Sequence, residues 1–465
     1  MLQKKISIAV ATATLSMSSG VALATDVFRL EGFGAVSRSM GGTAVAHDVG
    51  PAGMMTNPAT LSLMQEGDKA MVGLDLVTTD IVVKNKTTGE TVSSDTHPNN
   101  RGPYFAPEAA YAKRVGAWSF GVGAFAQGGL GTEYGKRSFL SAGQDGVNTG
   151  LENSSRLLVL NIPFAASFQA TEKLSFGGSI DAMWQGLNLD LLLTTNQVMG
   201  LAGAGRVSGS LLGVLGPYLP VAAGDNGALQ GAHFSLTKSQ FLGSGVDAWG
   251  YGGKLGMLYK ATAETTLGAS YTLKSQMADM EGSATLTAVL SGNAQLPING
   301  KIKIQDFQMP AHLDIGVSHR LTPQWTVAAD VSQVFWKEVM KDIKVAFESG
   351  AGNLNIQLPQ NYKDQTILSL GTAYALNQQW TLRAGARFAT QALRDNTLFA
   401  VIPATPTKHL SFGFSYAVTP TSKIDFAYSH ALAERMTNSV GPNTGDPIEV
   451  KHSQNNATLN YTLSF

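Results

Sequence analysis

The residues of this chain best suited to chemistry are charged side chains set in short segments where apolar and polar residues alternate. This alternation places each charge on the polar face of its segment. Six such residues would share one polar interior: Glu108, Asp314, Asp330, Arg383, Arg387 and Asp425. Because a guanidinium can hold a carboxylate through two hydrogen bonds, Arg383 is the first candidate for binding an anionic ligand. Buried charges also need partners, so the alternative is that the six form a structural network.

The sequence carries none of the short motifs that indicate an enzyme. None of the eight histidines is followed by Glu, which excludes an HExxH zinc site, and each Gly-Lys pair precedes Arg137, Leu255 or Ile302, which excludes a P-loop. A G-x-S-x-G elbow and cysteine are both absent. We therefore expect no catalytic residue, no metal site and no cofactor. The alternative is an outer-membrane lipid hydrolase, for which His312 and His430 are candidates by availability.

The amino terminus has the pattern of a secretory signal peptide. Lys4 and Lys5 precede an uncharged run, residues 6–24, that ends in the small-residue signal Ala-Leu-Ala, so we predict a signal peptide over 1–24 and cleavage before Thr25. An anchor helix is the alternative, but the run is short and rich in Ser, Thr and Ala. Cleavage of the signal peptide would remove two of the 33 basic residues and leave 31 against 33 acidic ones, a net charge of −2. This charge does not indicate a nucleic-acid-binding surface.

From residue 69 onward, the chain divides into segments with the period-two alternation of strands that have one lipid-facing and one polar face. Only 14% of residues are charged and 51 are Gly, a balance unusual for a soluble globule. We predict fourteen strands, approximately at residues 69–83, 104–113, 118–130, 156–169, 174–190, 249–260, 265–280, 301–320, 324–339, 365–375, 380–390, 409–418, 423–434 and 451–465.

The connections between these segments alternate between short turns and long loops. The longest loop covers 191–248. This asymmetry is typical of outer-membrane barrels, which have tight periplasmic turns and long external loops, whereas a soluble β-sandwich would share only the alternation. The chain ends in Phe465 on the apolar face, as in an outer-membrane assembly signal. These features together predict export to the bacterial outer membrane.

Residues 32–64 are Gly-rich, lightly charged and without helical or strand periodicity. Such a segment persists only where its surroundings satisfy its backbone groups, so we interpret it as a plug. The predicted fold is all-β: a 14-stranded antiparallel transmembrane β-barrel over 67–465, with an N-terminal hatch over 25–66 inside its lumen.

With these features, the chain resembles the FadL-type family of outer-membrane transporters for long-chain fatty acids and other hydrophobic compounds. The resemblance covers the mature chain. It rests on the motifs Gly32-Phe33-Gly34, Met40-Gly41-Gly42-Thr43-Ala44, Asn57-Pro58-Ala59, Gly128-Gly129-Leu130-Gly131-Thr132-Glu133-Tyr134, Ala329-Asp330 followed by Trp336, Trp380-Thr381-Leu382-Arg383-Ala384-Gly385, and Ile402-Pro403 before Leu410-Ser411-Phe412-Gly413. The chain departs from the family in its long 191–248 loop and in the plain Gly-Gly-Leu-Gly of the third strand.

The resemblance implies capture of a hydrophobic ligand at an external groove, passage to a pocket in the lumen, a shift of the hatch, and lateral exit beside a kinked third strand. For the kink and exit it implies Gly128, Gly129 and Gly131; the alternative is an ordinary barrel bulge. The expected ligand contacts from hatch and lumen are Phe28, Phe33, Asn57, Pro58, Ala59, Trp336 and Arg383. Asn57 could equally serve only the conformation of its turn.

An external groove is expected in the 191–248 loop, from Leu192, Leu193, Leu211, Leu212, Leu215 and Tyr218. The alternative is that the same residues pack a folded cap. The expected partners are a fatty acid or other hydrophobic small molecule, outer-membrane lipid or lipopolysaccharide, and the assembly machinery through Phe465, with the protein a monomer. An open porin for polar solutes is a further alternative, and the sequence leaves the choice between fatty acid and aromatic hydrocarbon open.

Overall fold

A computed structural model describes residues 27–94, 104–218, 228–236, 244–439 and 445–465. The predicted signal peptide, 1–24, lies outside the described residues, as does part of the 191–248 loop. No helix in these described ranges is long and apolar enough to cross a membrane.

The described residues contribute 22 strands to one sheet. In chain order they are β1 (Gly67–Asn85), β2 (Thr91–Ser93), β3 (Tyr104–Val115), β4 (Trp118–Gly135), β5 (Asn153–Gln169), β6 (Leu174–Thr194), β7 (Val207–Ser208), β8 (Leu229–Ser235), β9 (Val246–Lys260), β10 (Thr265–Thr272), β11 (Gln276–Met277), β12 (Met280–Leu290), β13 (Ala294–Gln305), β14 (His312–Thr322), β15 (Trp325–Val334), β16 (Asp342–Ser349), β17 (Gly352–Pro359), β18 (Gln365–Ala375), β19 (Trp380–Ala389), β20 (Lys408–Thr419), β21 (Ser422–Asn438) and β22 (Ile448–Ser464).

Antiparallel pairing closes this sheet into a barrel. The circuit runs through β1, β3, β4, β5, β6, β9, β10, β14, β15, β18, β19, β20, β21 and β22, and then back to β1. The closing seam joins β1 and β22 from Lys69 opposite Ser464 to Asn85 opposite Ile448. Alternation sets the faces: on β22, Leu459 and Tyr461 are exposed, while Asn460 is buried.

The prediction of a 14-stranded fold is wrong for the sheet as a whole, because the described residues form 22 strands: those of the circuit and further strands in the long connections. The predicted segment 265–280 divides among β10, β11 and the start of β12, and 301–320 covers parts of β13 and β14. Asp306 has a positive φ of 52° and Pro310 follows shortly after it, which ends β13 and turns the chain into β14. The segment 324–339 leaves the sheet after Val334.

The long loops add strands of their own beyond the barrel rim. β6 continues past its pairing with β9 to pair with β8, and β8 pairs with β12; β13, β16 and β17 then extend the same layer. Periodicity does not predict this layer, because most of its residues lie between the predicted strand segments. We call it the cap, defined as β7, β8, β12, β13, β16 and β17 with the loop end of β6.

Four α-helices and six 3₁₀ helices lie among the described residues. The α-helices are α1 (Gly34–Ser39), α2 (Thr195–Gly203), α3 (Leu211–Leu215) and α4 (Trp336–Val339). The 3₁₀ helices are Gly50–Met55, Pro58–Leu63, Phe139–Ser141, Gly216–Tyr218, Ser291–Asn293 and Asp395–Thr397. The helix α2 begins with a capping box, in which Thr194 and Gln197 each satisfy a backbone N–H of the other.

Residues 27–64, here called the inner segment, are enclosed by the barrel strands and almost entirely buried. Wall glycines give this segment its space. A Cβ built on Gly128 would lie 1.9 Å from the carbonyl oxygen of Phe28, and one on Gly385 would lie 2.1 Å from the amide nitrogen of Gly41. The same close approach occurs at Gly121, Gly177, Gly256, Gly268, Gly316, Gly371 and Gly413. That the segment moves as a hatch stays a prediction.

We expect Gly385→Ala to displace the inner segment, because the new methyl group would overlap the backbone of Gly41 at a cost of ~1–3 kcal/mol. Trypsin should then cleave after Arg38, which is 1% exposed in the native fold. The control is Gly178→Ala on β6, where the nearest atom would lie 3.4 Å from the added carbon. Equal protection of Arg38 in both variants, with both barrels resistant to unfolding in detergent, would contradict the steric argument.

Candidate functional site

The charged residues of the inner segment are paired with the barrel wall. Arg38 of α1 lies 3.0 Å from the Asp75 carboxylate on β1 and 3.6 Å from that of Glu31. Glu31 also accepts hydrogen bonds from Ser429 and Asn456. Burial alone would raise the pKa of Glu31, but the Arg38 guanidinium, with help from His409 and these two donors, lowers that pKa to about 2. The carboxylate therefore stays ionised and anchors the segment.

Two wall carboxylates hold backbone N–H groups that the irregular inner segment leaves unpaired. Glu108 on β3 accepts from the Gly34 amide at 3.3 Å, and Asp330 on β15 accepts from Ala44 at 2.7 Å and from Val45 at 3.1 Å. These bonds replace the partners that a helix or strand would have supplied. Both residues were predicted on the lumen face, and the contacts assign them a structural role.

Arg383, the predicted carboxylate clamp, lies beside another wall residue. Its Nη1 is 3.7 Å from Asp425 on β21, and Lys423 lies 3.1 Å from the same carboxylate. Its neighbour on the same face, Arg387, donates to the Ser369 hydroxyl at 2.6 Å.

The two histidines considered for hydrolysis also have polar partners. The His312 Nε2 lies 3.4 Å from the Asp314 carboxylate, and the His430 Nδ1 lies 2.8 Å from the amide oxygen of Asn455.

The three residues of the Asn57-Pro58-Ala59 motif form a turn locked against β9. The Asn57 side chain donates to the carbonyls of Val45, at 2.7 Å, and Met257, at 3.2 Å, and accepts from the Ala59 amide at 3.1 Å. Asn57 thereby caps the 3₁₀ helix that Pro58 begins. All three motif residues are buried.

Four aromatic side chains meet where the inner segment approaches the loop end of the barrel. The Phe28 ring lies 5.6 Å from Trp336, edge to face, 6.1 Å from Phe307 and 6.3 Å from Tyr362. Trp336 was expected to continue a strand, but it begins α4 and is fully buried. Phe307 and Tyr362 were not predicted as site residues. Tyr362 lies between the predicted strands, whereas Phe307 lies within the predicted strand 301–320, which the structure divides into β13, a connection that contains Phe307, and β14. We call these four residues the aromatic cluster.

The second predicted phenylalanine, Phe33, lies apart from the aromatic cluster. Its ring packs edge to face on Phe125, 6.4 Å away, within a separate apolar group that includes Met54, Met55 and Leu61. The two phenylalanines of the inner segment therefore have different surroundings.

The aromatic cluster belongs to one continuous group of buried apolar residues. In one direction the group reaches Leu193 and Phe347 of the cap and Leu211 of α3. In the other it reaches Leu157 and Val159 on β5, opposite Leu130 and Gly128 of β4. We call this group the apolar route. It extends from the cap to the barrel wall beside the third strand of the circuit.

The predicted external groove is mostly filled. Leu192, Leu193, Leu211 and Leu215 are at most 8% exposed, and only Leu212 and Tyr218 are half-buried. These residues pack within the cap, so they do not line an open groove. Leu192 alone borders a pocket of about 440 Å³ between the loops, whose lining also includes Arg137, Phe139, Gln197, Val401 and Ile448.

β3 and β4 are paired over only part of their lengths and then separate. They pair only from Val115 opposite Trp118 to Glu108 opposite Phe125, although β3 continues to Tyr104 and β4 to Gly135.

The inner segment occupies the space that β3 leaves. The Leu30 amide donates to the Gln127 carbonyl at 3.2 Å, and the Gly129 amide donates to the Phe28 carbonyl at 2.7 Å. Beyond the separation, Gly131 faces the ring of Tyr104. The three predicted glycines thus lie where β4 leaves its neighbour.

Known proteins share both the sequence pattern and the architecture of this chain. The profile of the family described as outer membrane protein transport protein (OMPP1/FadL/TodX) matches residues 9–465. The crystal structure of the toluene transporter TodX of Pseudomonas putida is 43% identical, with a TM-score of 0.84, and the match covers 94% of this chain and 99% of TodX. The toluene transporter TbuX of Ralstonia pickettii is 44% identical, with a TM-score of 0.78 and coverage of 94% and 99%.

Other relatives are more distant in sequence. Outer membrane protein P1 of Haemophilus influenzae is 23% identical over 403 residues, which are 85% of this chain and 77% of that protein. A second P1 sequence is matched over 63% of its length. A long-chain fatty acid transport protein of Escherichia coli is 24% identical over 302 residues, which are 62% of this chain and 60% of that protein. The family match spans nearly the whole sequence, and the chain belongs to the OMPP1/FadL/TodX family of outer membrane transport proteins.

Proposed function

We propose that this protein is a passive outer-membrane uptake channel for small neutral hydrophobic compounds, with monoaromatic hydrocarbons preferred over long-chain fatty acids. The apolar route carries the proposal. A hydrocarbon that moves along apolar surface keeps ~0.8 kcal/mol per CH₂ that it would lose in a water-filled pore. An open porin for polar solutes would need a wet lumen instead. A lipid hydrolase is excluded, because the family consists of transport proteins.

Three observations support the proposed ligand class. The aromatic cluster offers ring faces and edges suited to a flat hydrocarbon, and burial raises the pKa of Tyr362, which keeps its phenol neutral. Arg383 lies 3.7 Å from the Asp425 carboxylate, which Lys423 also contacts, so its guanidinium already faces a carboxylate of the barrel wall. The solved structures at 43% and 44% identity are toluene transporters, whereas the fatty acid transport protein is only 24% identical.

We propose that the ligand leaves sideways where β3 and β4 separate, with the inner segment as the gate of a hatch domain over 25–66. The hydrogen bonds of Phe28 and Leu30 to β4 close the separation in the present conformation. Breaking these two bonds would open it without disturbing the barrel seam. The Asn57 turn, bound to β9, is the fixed end about which such a movement would occur.

We further propose a monomer in contact with lipopolysaccharide, assembled through its C-terminal residue. Phe465 is 68% exposed, and its backbone forms two hydrogen bonds with Asp68 at the seam. Because the circuit is closed, the barrel offers no free edge for a second copy.

Phe28→Leu should lower the initial rate of radiolabelled toluene uptake two- to tenfold, because it removes aromatic contacts worth ~0.5–1.5 kcal/mol. The assay uses cells that lack their own transporter, with oleate measured in parallel. Phe33→Leu is the matched control, since that ring lies outside the aromatic cluster. Efficient oleate uptake with no toluene uptake would show that the proposed ligand class is wrong.

Arg383→Met should leave the ratio of toluene to oleate uptake unchanged, because the guanidinium compensates Asp425 instead of binding a ligand. Both rates should fall together if the barrel is destabilised, and Asp425→Asn should produce the same proportional fall. A selective loss of oleate uptake in Arg383→Met alone would assign the carboxylate clamp to this residue.

A further inference from the structure

The third barrel strand is interrupted at two places on the side facing β5. No pair joins Gly123 and Ala124 to β5, where Pro163 lacks an amide hydrogen. A second irregularity follows between Ala126 and Gly128, where Gln127 is bulged. From Phe125 to Gly128, four consecutive residues are buried, so the strand has left the lipid face. Such a strand needs something to fix its course.

A row of buried polar side chains crosses the neighbouring strands and ends at this bulge. The Asn161 side chain, on β5, donates to the Gln127 side-chain oxygen and to the Asp181 carboxylate on β6, both at 3.1 Å. Asp181 pairs with Lys254 on β9 and accepts from Ser179 at 2.6 Å. Gln127, Asn161, Asp181 and Lys254 are each at most 5% exposed. We call these four residues the polar row.

The polar row also meets the inner segment. The backbone carbonyl of Gln127 accepts the Leu30 amide, two residues before the Gly129 amide that binds Phe28. One residue is therefore held by Asn161 through its side chain and by the inner segment through its backbone. Moving the bulge would move both hydrogen bonds that close the separation of β3 and β4.

A buried ion pair of this kind is weak support for stability, because desolvation offsets most of the Coulomb attraction. The Lys254 and Asp181 charges are better explained by the side chains that they orient, Asn161 and Gln127. Lys254 fixes the carboxylate, the carboxylate fixes the amide of Asn161, and that amide fixes Gln127. The order of contacts follows the strands β9, β6, β5 and β4.

We propose that the polar row positions the β4 bulge and so sets the geometry of the lateral passage, with Asn161 and Asp181 as positioning residues. The inference rests on the proposed function for its role in transport. Its structural part stands on the contacts of the polar row alone.

The test compares two double variants that both remove the buried charges. Asp181→Asn/Lys254→Met keeps an oxygen that can accept from Asn161, whereas Asp181→Leu/Lys254→Met removes that acceptor at similar volume. Hydrogen exchange of the Gly129 amide, followed by mass spectrometry of peptides covering 125–131 from the purified full chain, reports the bulge. Toluene uptake in the same cells reports transport.

The amide should exchange about tenfold faster in the variant that lacks the acceptor and at the native rate in the variant that keeps it. Toluene uptake should fall about tenfold in the first and change little in the second. Equal exchange rates in the two variants would overturn the proposal, because the pair would then act only through its charge.

If the Asp181→Leu/Lys254→Met variant does not fold, Asn161→Leu provides the test. This substitution breaks the polar row but leaves the ion pair of Asp181 and Lys254 intact. Faster exchange in Asn161→Leu supports the proposal, and native exchange overturns it. If the native protein takes up no toluene while the exchange pattern holds, the proposed function fails and the positioning role stands.

Discussion

Enclosing a stretch of irregular backbone inside a barrel is the constraint on which the rest of this structure depends. Each buried N–H or C=O left without a partner would cost ~1–3 kcal/mol. Glu108 and Asp330 of the wall therefore supply acceptors to the inner segment, and Asn57 within the segment binds β9. Wall glycines supply the space, which gives a physical reason for many of the 51 glycines. The composition of the barrel wall thus matches the inner segment that it encloses.

The inner segment contacts its surroundings in different ways along its length. Arg38 pairs with Asp75 of the wall, whereas Glu31 and the Asn57 turn bind the wall through hydrogen bonds. At Phe28 the contacts become aromatic and join the apolar route to the cap. A firm attachment therefore adjoins a short stretch, residues 28–30, that touches β4 mainly through backbone bonds.

Alternation in the sequence predicted where most barrel strands run and which face each residue takes, as for Asp330 and Arg383. It did not predict the cap, because strands in loops pair with one another through contacts that have no local signature. Trp336 was placed on a strand because its segment alternates, whereas the backbone turns into α4 after Val334. Alternation is consistent with the inward position of Lys254, because Tyr251, Leu255 and Met257 lie on the opposite, exposed face of β9. Its pairing with Asp181 depends on the register of β6 and β9, which only the fold supplies.

The seam between β1 and β22 has a consequence for the order in which the protein is made. The strands on either side of it are the first and last of the described strands, so the circuit remains open until β22 has been added. The inner segment runs directly into β1, and the glycine contacts of the wall fit it too closely for later threading. The inner segment must therefore be in place before the seam closes, and a chain truncated before β22 would leave β1 and β21 without the strand that joins them.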